Sequence, residues 1–177
     1  MLRYREGDAA AFDILYTRHK GSIYRYLLRS CGNEAIAEEL FQDVWMNLIR
    51  ARERYMVKAK FTTYLFQLAR NRLIDHYRKN TANPGNDCGN SQEQLDSLAT
   101  QYQDQPEVQV ELRQQTKSLL ELIKTLPDEQ REVFLLREEA GMTVNEIAEI
   151  TGVNAETTKS RLRYAIGKLR SGMRDML

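Results

Sequence analysis

Between Thr157 and Tyr164 the chain carries Thr157, Lys159, Ser160, Arg161, Arg163 and Tyr164. Hydroxyls of Thr and Ser bond to base edges or phosphates, Lys159 and Arg161 suit phosphates, and Arg163 suits a phosphate or the acceptor edge of guanine. That is the chemistry of reading a nucleic acid. A second basic block runs from Arg50 to Lys79, where nine Lys and Arg stand against Glu53 and Asp75, a local charge of +7. Glu156 to Arg174 carries +5, and the stretch between the two blocks, Thr81 to Leu112, carries −6 with no Lys or Arg. The formal net charge of +1 hides this segregation. Blocks of one sign favour polyanion contact at two separate places; the plainer alternative is an uneven solvated helix face. No catalytic set is visible. His19 and His76 are distant in sequence, His19 falls on an apolar stripe as a core histidine does, and no P-loop, HExxH or GxSxG motif occurs. Cys31 and Cys88 lie outside any CxxC or Cys/His cluster, so neither a metal nor another cofactor is expected, and reduced thiols are the default.

Those side chains need rigid elements to hold them, and the periodicity supplies helices. The chain has 177 residues, long enough for one domain or two small ones with a packed core. Phe12, Leu15, Tyr16, His19, Ile23, Tyr26 and Leu27 recur at helical spacing. Gly32 stops that helix, and Asn33 caps a second from about Glu34 to Arg54, striped by Ala37, Leu40, Phe41, Val44, Leu48 and Ile49. A third runs from about Phe61 to Lys79 on Leu65, Leu68, Ala69 and Leu73. The stretch from Thr81 to about Pro106 is Gln/Asn-rich and too polar to bury a core, which reads as a flexible acidic linker. Beyond it a helix reaches Thr125, and Pro127 opens another that ends at Gly141. Thr143 and Glu146 form a capping box for a short helix, Gly152 makes a turn, and Asn154 caps a long basic helix. Ile147, Ala148, Val153, Leu162, Ala165, Ile166 and Leu169 should face inward. A short helix, a Gly turn and a basic amphipathic helix make a helix-turn-helix, whose second helix enters a major groove. The expected fold is all-α: a helical bundle over 1–80, a linker over 81–106 and a helix-turn-helix domain over 107–177. No apolar run is long enough to span a membrane and no signal core opens the chain, so a cytoplasmic protein without membrane insertion is expected.

"AEELFQDVWMNLIRA" followed by "KFTTYLFQLARNRLIDHYRK" closely resembles the conserved domain of bacterial RNA polymerase sigma factors. With "LPDEQREVFLLREEAGMTVNEIAEITGV" and "TTKSRLRYAIGKLR", the chain resembles the group IV, or extracytoplasmic function, members of the sigma-70 family. The resemblance covers about nine-tenths of the chain and is weakest over the linker. It implies a sigma-two and a sigma-four domain, and a transcription initiation factor that directs core RNA polymerase to promoters without chemistry of its own. It places Glu39, Gln42, Asp43 and Trp45 on the β′ clamp helices, with Trp45 or Leu48 as an apolar anchor, although Trp45 also fits the core. It places Arg54, Tyr55, Lys58, Lys60, Phe61, Tyr64, Asn71 and Arg72 at the −10 element, with Asn71 reading an unpaired base. Phe61 and Tyr64 fit the core equally well, and Tyr64 departs from the family's usual tryptophan. The −35 element falls to Arg137, Thr157, Lys159, Ser160, Arg161, Arg163 and Tyr164. Thr158 stands where the family usually has valine, which is tolerable if its hydroxyl bonds back along the helix. The implied partners are core polymerase through the β′ clamp helices and the β flap, promoter DNA, and an anti-sigma protein.

Two other classes fit parts of the pattern. An autonomous helix-turn-helix regulator requires dimer symmetry, and no dimerisation element is evident after the last helix. A helical nuclease requires an acidic metal cluster beside its basic surface, and Asp75 alone is too little.

Overall fold

A computed structural model describes residues 1–82 and 106–175 of the chain. Every regular element among them is helical, in eight α-helices: α1 (Leu2–Arg5), α2 (Ala9–Cys31), α3 (Glu34–Arg50), α4 (Phe61–Ala82), α5 (Pro106–Lys124), α6 (Asp128–Ala140), α7 (Val144–Thr151) and α8 (Ala155–Arg174). The linker expected over 81–106 lies, apart from its ends, outside the described residues, as does Cys88.

The helix ends follow from local chemistry. Asp8 accepts from the Ala11 N–H at 3.2 Å and starts α2; the Asn33 side chain accepts from the Ile36 N–H at 3.1 Å and starts α3. Between them Gly32 turns left-handed at φ 69°, as the sequence leads one to expect. α3 ends four residues before the expected Arg54. There the chain tightens into a 3₁₀ turn over Arg52–Arg54, and the next residue, Tyr55, turns inward to be only 6% exposed. The second half behaves as its capping residues dictate. Thr143 and Glu146 make the reciprocal capping box of α7, Gly152 turns at φ 73°, and the Asn154 side chain accepts from the Thr157 N–H at 2.7 Å to start α8.

In the first half α2, α3 and α4 pack on one another around Ile23, Leu27, Val44, Leu48, Leu65 and Phe66. In the second, α5 to α8 close around Val133, Leu136, Met142, Ile147, Ala165 and Leu169. Ile166 departs from its expected inward place and is exposed. It lies about 100° around the helix from the buried Ala165, which carries it past the edge of the apolar stripe. The two halves also pack together: α6 lies against α2 and α4, and the buried residues form one continuous cluster.

Candidate nucleic-acid and partner-docking surfaces

α8 meets its neighbours through Thr158, Ala165 and Leu169. That phase turns Lys159, Arg163 and Tyr164 to solvent and leaves Thr157, Ser160 and Arg161 half-buried along one flank. The fully buried Thr158 donates its hydroxyl to the Asn154 carbonyl at 3.1 Å, the back-bond that makes a hydroxyl acceptable there. The Arg163 guanidinium lies 5.3 Å from the centre of the Tyr164 ring, so the two form one flat, cationic edge. Lys159 pairs with Glu156 at 2.8 Å, which holds the Glu156 carboxyl below its ordinary range. Arg161 is committed inside the domain. It reaches Glu129 of α6 at 2.5 Å and keeps a fifth of its side chain exposed. Arg137 is exposed and donates to the Met142 carbonyl at 2.6 Å, pinning the turn that leads into α7.

The first half presents its basic residues on the segment between α3 and α4. Arg54, Lys58 and Lys60 are exposed; Lys60 pairs with Glu146 of α7 at 3.0 Å. Tyr55 does not join them. It is buried edge-on against Tyr64 with ring centres 5.1 Å apart, and its carbonyl accepts from Arg5 at 3.1 Å. Burial raises the phenol pKa of both tyrosines, and for Tyr64 the neighbouring Tyr55 adds to the effect. Tyr55 is therefore an anchor of the loop rather than a free surface contact. Phe61 is half-buried against His19 at 5.4 Å, and burial, then Arg18, lowers the His19 pKa. Asn71 is exposed on α4, and Arg72 reaches Asp75 at 3.7 Å.

One feature of this surface escapes the sequence. Met1, Leu2, Ala11, Ile14 and Leu15 from the N-terminal helices meet Val57, Ala59 and Phe61 around an open cleft of about 470 Å³, rimmed by Arg3 and Lys60. Met56 and Val57 stand almost two-thirds exposed beside the cations. The apolar pair enclosed by Arg54 and Lys58 was the available signal.

On α3 the exposed face carries Glu39, Gln42 and Asp43. Trp45 is not part of it. Only 5% exposed, it packs edge-on against Phe12, Tyr16 and Phe41, and Leu48 is fully buried. The apolar side chain within reach of Gln42 and Asp43 is Met46, 46% exposed, with Ile49 one turn on. Helical phase decides this: Ala37, Leu40, Val44 and Leu48 face the core, and Trp45 follows Val44 into it. Among the described residues no group of three His, Cys, Asp or Glu is disposed to hold a metal. Among them, too, no helix is long and apolar enough to cross a membrane.

Comparison with known proteins places both surfaces in context. Residues 15–83 match the family Sigma-70 region 2, and residues 116–169 match Sigma-70, region 4. The ECF RNA polymerase sigma factor RpoE of Cereibacter sphaeroides is 31% identical, over 94% of this chain and 88% of its own. The RNA polymerase sigma factor CarQ of Myxococcus xanthus is 28% identical, over 96% of this chain and 93% of its own. Among solved structures, the sigma factor RpoE in complex with the anti-sigma factor NepR from Bartonella quintana superposes with a TM-score of 0.72. That match has 19% identity and covers 93% of this chain and 97% of that one. CnrH in complex with the cytosolic domain of CnrY gives a TM-score of 0.64 at 21% identity, covering 96% and 91%.

Proposed function

The chain belongs to the sigma-70 family, in its extracytoplasmic function branch, and from that premise we propose how its two surfaces divide the work of promoter recognition. The protein is a transcription initiation factor acting with RNA polymerase. α3 docks on the β′ clamp helices through Glu39, Gln42 and Asp43, with Met46 as the apolar contact among them, and the second half reaches the β flap. Carboxylates and an amide grouped around one exposed apolar side chain fit a basic coiled coil better than water. Arg54, Lys58 and Lys60 hold the phosphates of the −10 element, and Asn71 and Arg72 face the opened strand. Phe61 and Tyr64 support that surface from beneath. α8 reads the −35 duplex with Thr157, Lys159, Ser160, Arg163 and Tyr164, while Arg137 and Arg161 brace the reading helix. The factor works in the cytoplasm, catalyses nothing itself, and has an anti-sigma protein as a further partner.

The observation that carries this reading is the pairing, in one chain, of an exposed acidic and amide face on α3 with an exposed cationic face on α8. A DNA reader acting alone needs only the second. Asp43→Lys is expected to weaken co-purification with core polymerase at least about tenfold, by placing like charge against a basic partner. Run-off transcription from a promoter library should fall with it. A library that stays silent with the wild-type protein and core enzyme defeats the proposal.

A further inference from the structure

The segment that carries Arg54, Lys58 and Lys60 is held by little of its own. Its 3₁₀ turn closes with the Arg54 N–H on the Ala51 carbonyl at 3.1 Å and the Tyr55 N–H on the Arg52 carbonyl at 3.4 Å. After that, none of the described hydrogen bonds engages Met56, Val57, Lys58 or Ala59. Val57 and Ala59 line the open cleft with Ala11, Ile14 and Leu15 of α2 and stay exposed instead of joining the buried core. A run without bonds or burial takes its shape from its fixed ends.

The fixed point is Tyr55, and α1 supplies half of its hold. Tyr64 of α4 meets the ring edge-on, while Arg5 of α1 donates Nη1 to the Tyr55 carbonyl at 3.1 Å. Three residues earlier, the Arg52 guanidinium lies 5.4 Å from the centre of the Tyr4 ring, also on α1. α1 therefore grips the segment on both sides of Arg54, once by a charge-assisted hydrogen bond and once by a cation over a ring. α1 is itself anchored. Tyr4 is 8% exposed and packs on Phe12 with ring centres 5.1 Å apart, and Arg3 pairs at 2.6 Å with Asp8, the cap of α2. The match to Sigma-70 region 2 begins at residue 15, so the family comparison gives α1 no part to play. Neither Arg5 nor Arg52 has a carboxylate among the described ion pairs, so the brace adds two cations to a segment that is already basic. Phosphates relieve that repulsion, and the brace tightens as a strand binds.

We propose that α1 is a working part of the −10 surface, in which Arg5 and Tyr4 are positioning residues that clamp Tyr55 and Arg52 and so present Arg54 and Lys58 to the single strand at a fixed spacing. This rests on the proposed −10 role of the segment and adds the residues that hold it in shape. Neither residue needs to touch DNA. Loss of the brace lowers the fraction of molecules whose segment is ready to bind, and the apparent affinity falls by that fraction.

The test uses the full chain. The Arg54 and Tyr55 amides, followed by NMR hydrogen exchange, report the brace without DNA. In Arg5→Ala they should exchange about tenfold faster, with the amides of α2, α3 and α4 unchanged. Anisotropy with a fluorescein-labelled, mixed-sequence single strand should show Arg5→Ala binding about tenfold more weakly, as when the ready form drops to about a tenth of the population. The slope of log K against log salt should stay at its wild-type value, whereas a lost phosphate contact makes it shallower by about 0.7. Tyr4→Leu keeps an apolar side chain in place but offers Arg52 no ring, and it should weaken binding; Tyr4→Phe should bind like the wild type. Far-UV circular dichroism should be the same for every variant. Wild-type exchange at Arg54 and Tyr55 in Arg5→Ala overturns the brace. A slope shallower by about 0.7 also overturns it, by making Arg5 a phosphate contact. Tyr4→Leu binding as tightly as Tyr4→Phe overturns the part given to the ring. A wild type that binds no single strand defeats the proposed −10 role and the purpose of the brace with it, whereas exchange alone decides whether the brace exists.

Discussion

Trp45 is the single tryptophan of the chain, and its indole N–H has no acceptor in the aromatic nest that buries it. A buried donor left unpaired costs about 1–3 kcal/mol. Trp45→Phe removes that donor along with ring area worth about 1–2 kcal/mol. The two effects nearly cancel, so urea unfolding followed by circular dichroism should shift by less than about 1 kcal/mol, and polymerase binding should not change. Met46→Asp should do the reverse, leaving stability within about 0.5 kcal/mol, as exposed positions do, while weakening polymerase binding. If Trp45→Phe alone weakens docking, the face has been assigned to the wrong residues. The sequence resolves such questions unevenly. Thr158 is legible, because a hydroxyl at an inward helical position has the carbonyl four residues back as its natural acceptor, and that is where it goes. Tyr55 is not. It follows a 3₁₀ turn, where helical phase no longer says which way a side chain points, and an aromatic among cations reads the same facing in or out.

Elements whose ends are set by residues three or four apart are the ones a sequence spells out. α7 is eight residues long, too short to hold together by propensity, and it depends on Thr143 and Glu146. The Thr143 N–H first, then Lys60 and the Thr143 hydroxyl, hold the Glu146 carboxyl down at about 2, against an ordinary 4.5. A depressed folded-state pKa stabilises the fold above the unfolded value, and that contribution drains away as pH falls from about 4.5 towards about 2. Glu146→Ala is therefore expected to cost about 1–2 kcal/mol at neutral pH. It should also flatten the acid limb of a stability–pH curve over that interval. A variant whose acid limb overlays the wild type would show that the box does not hold α7. The same locality explains what was missed. α1 is a single turn of four residues, below the length at which periodicity registers, and α3 gives way after Arg50 to a 3₁₀ turn and an inward tyrosine that no spacing rule anticipates.

The docking of the halves is the least legible feature, because its pairs join residues 114, 110 and 62 positions apart. Read along the chain, the acidic block nearest the basic segment is the stretch after Thr81, whereas the acids that meet that segment across the seam are Glu132 on α6 and Glu146 on α7. Charge bears on function here through which cations remain unpaired. Each cation that neutralises a duplex phosphate releases a counterion and adds about −0.9 to the slope of log K against log salt; on a single strand it adds about −0.7. Arg163 faces solvent with no carboxylate among its described ion pairs, and Lys58 does the same on the first half. Arg161 is already matched by Glu129. With polymerase holoenzyme on promoter DNA, Arg163→Ala should therefore reduce the steepness of that slope by about 0.9, and Lys58→Ala by about 0.7 once the strand has opened. Arg161→Ala should leave the slope nearly unchanged, because its charge is spent inside the domain. A larger change for Arg161 than for Arg163 would mean that α8 meets the duplex on its other flank, and that the face now assigned to base reading points away from the DNA.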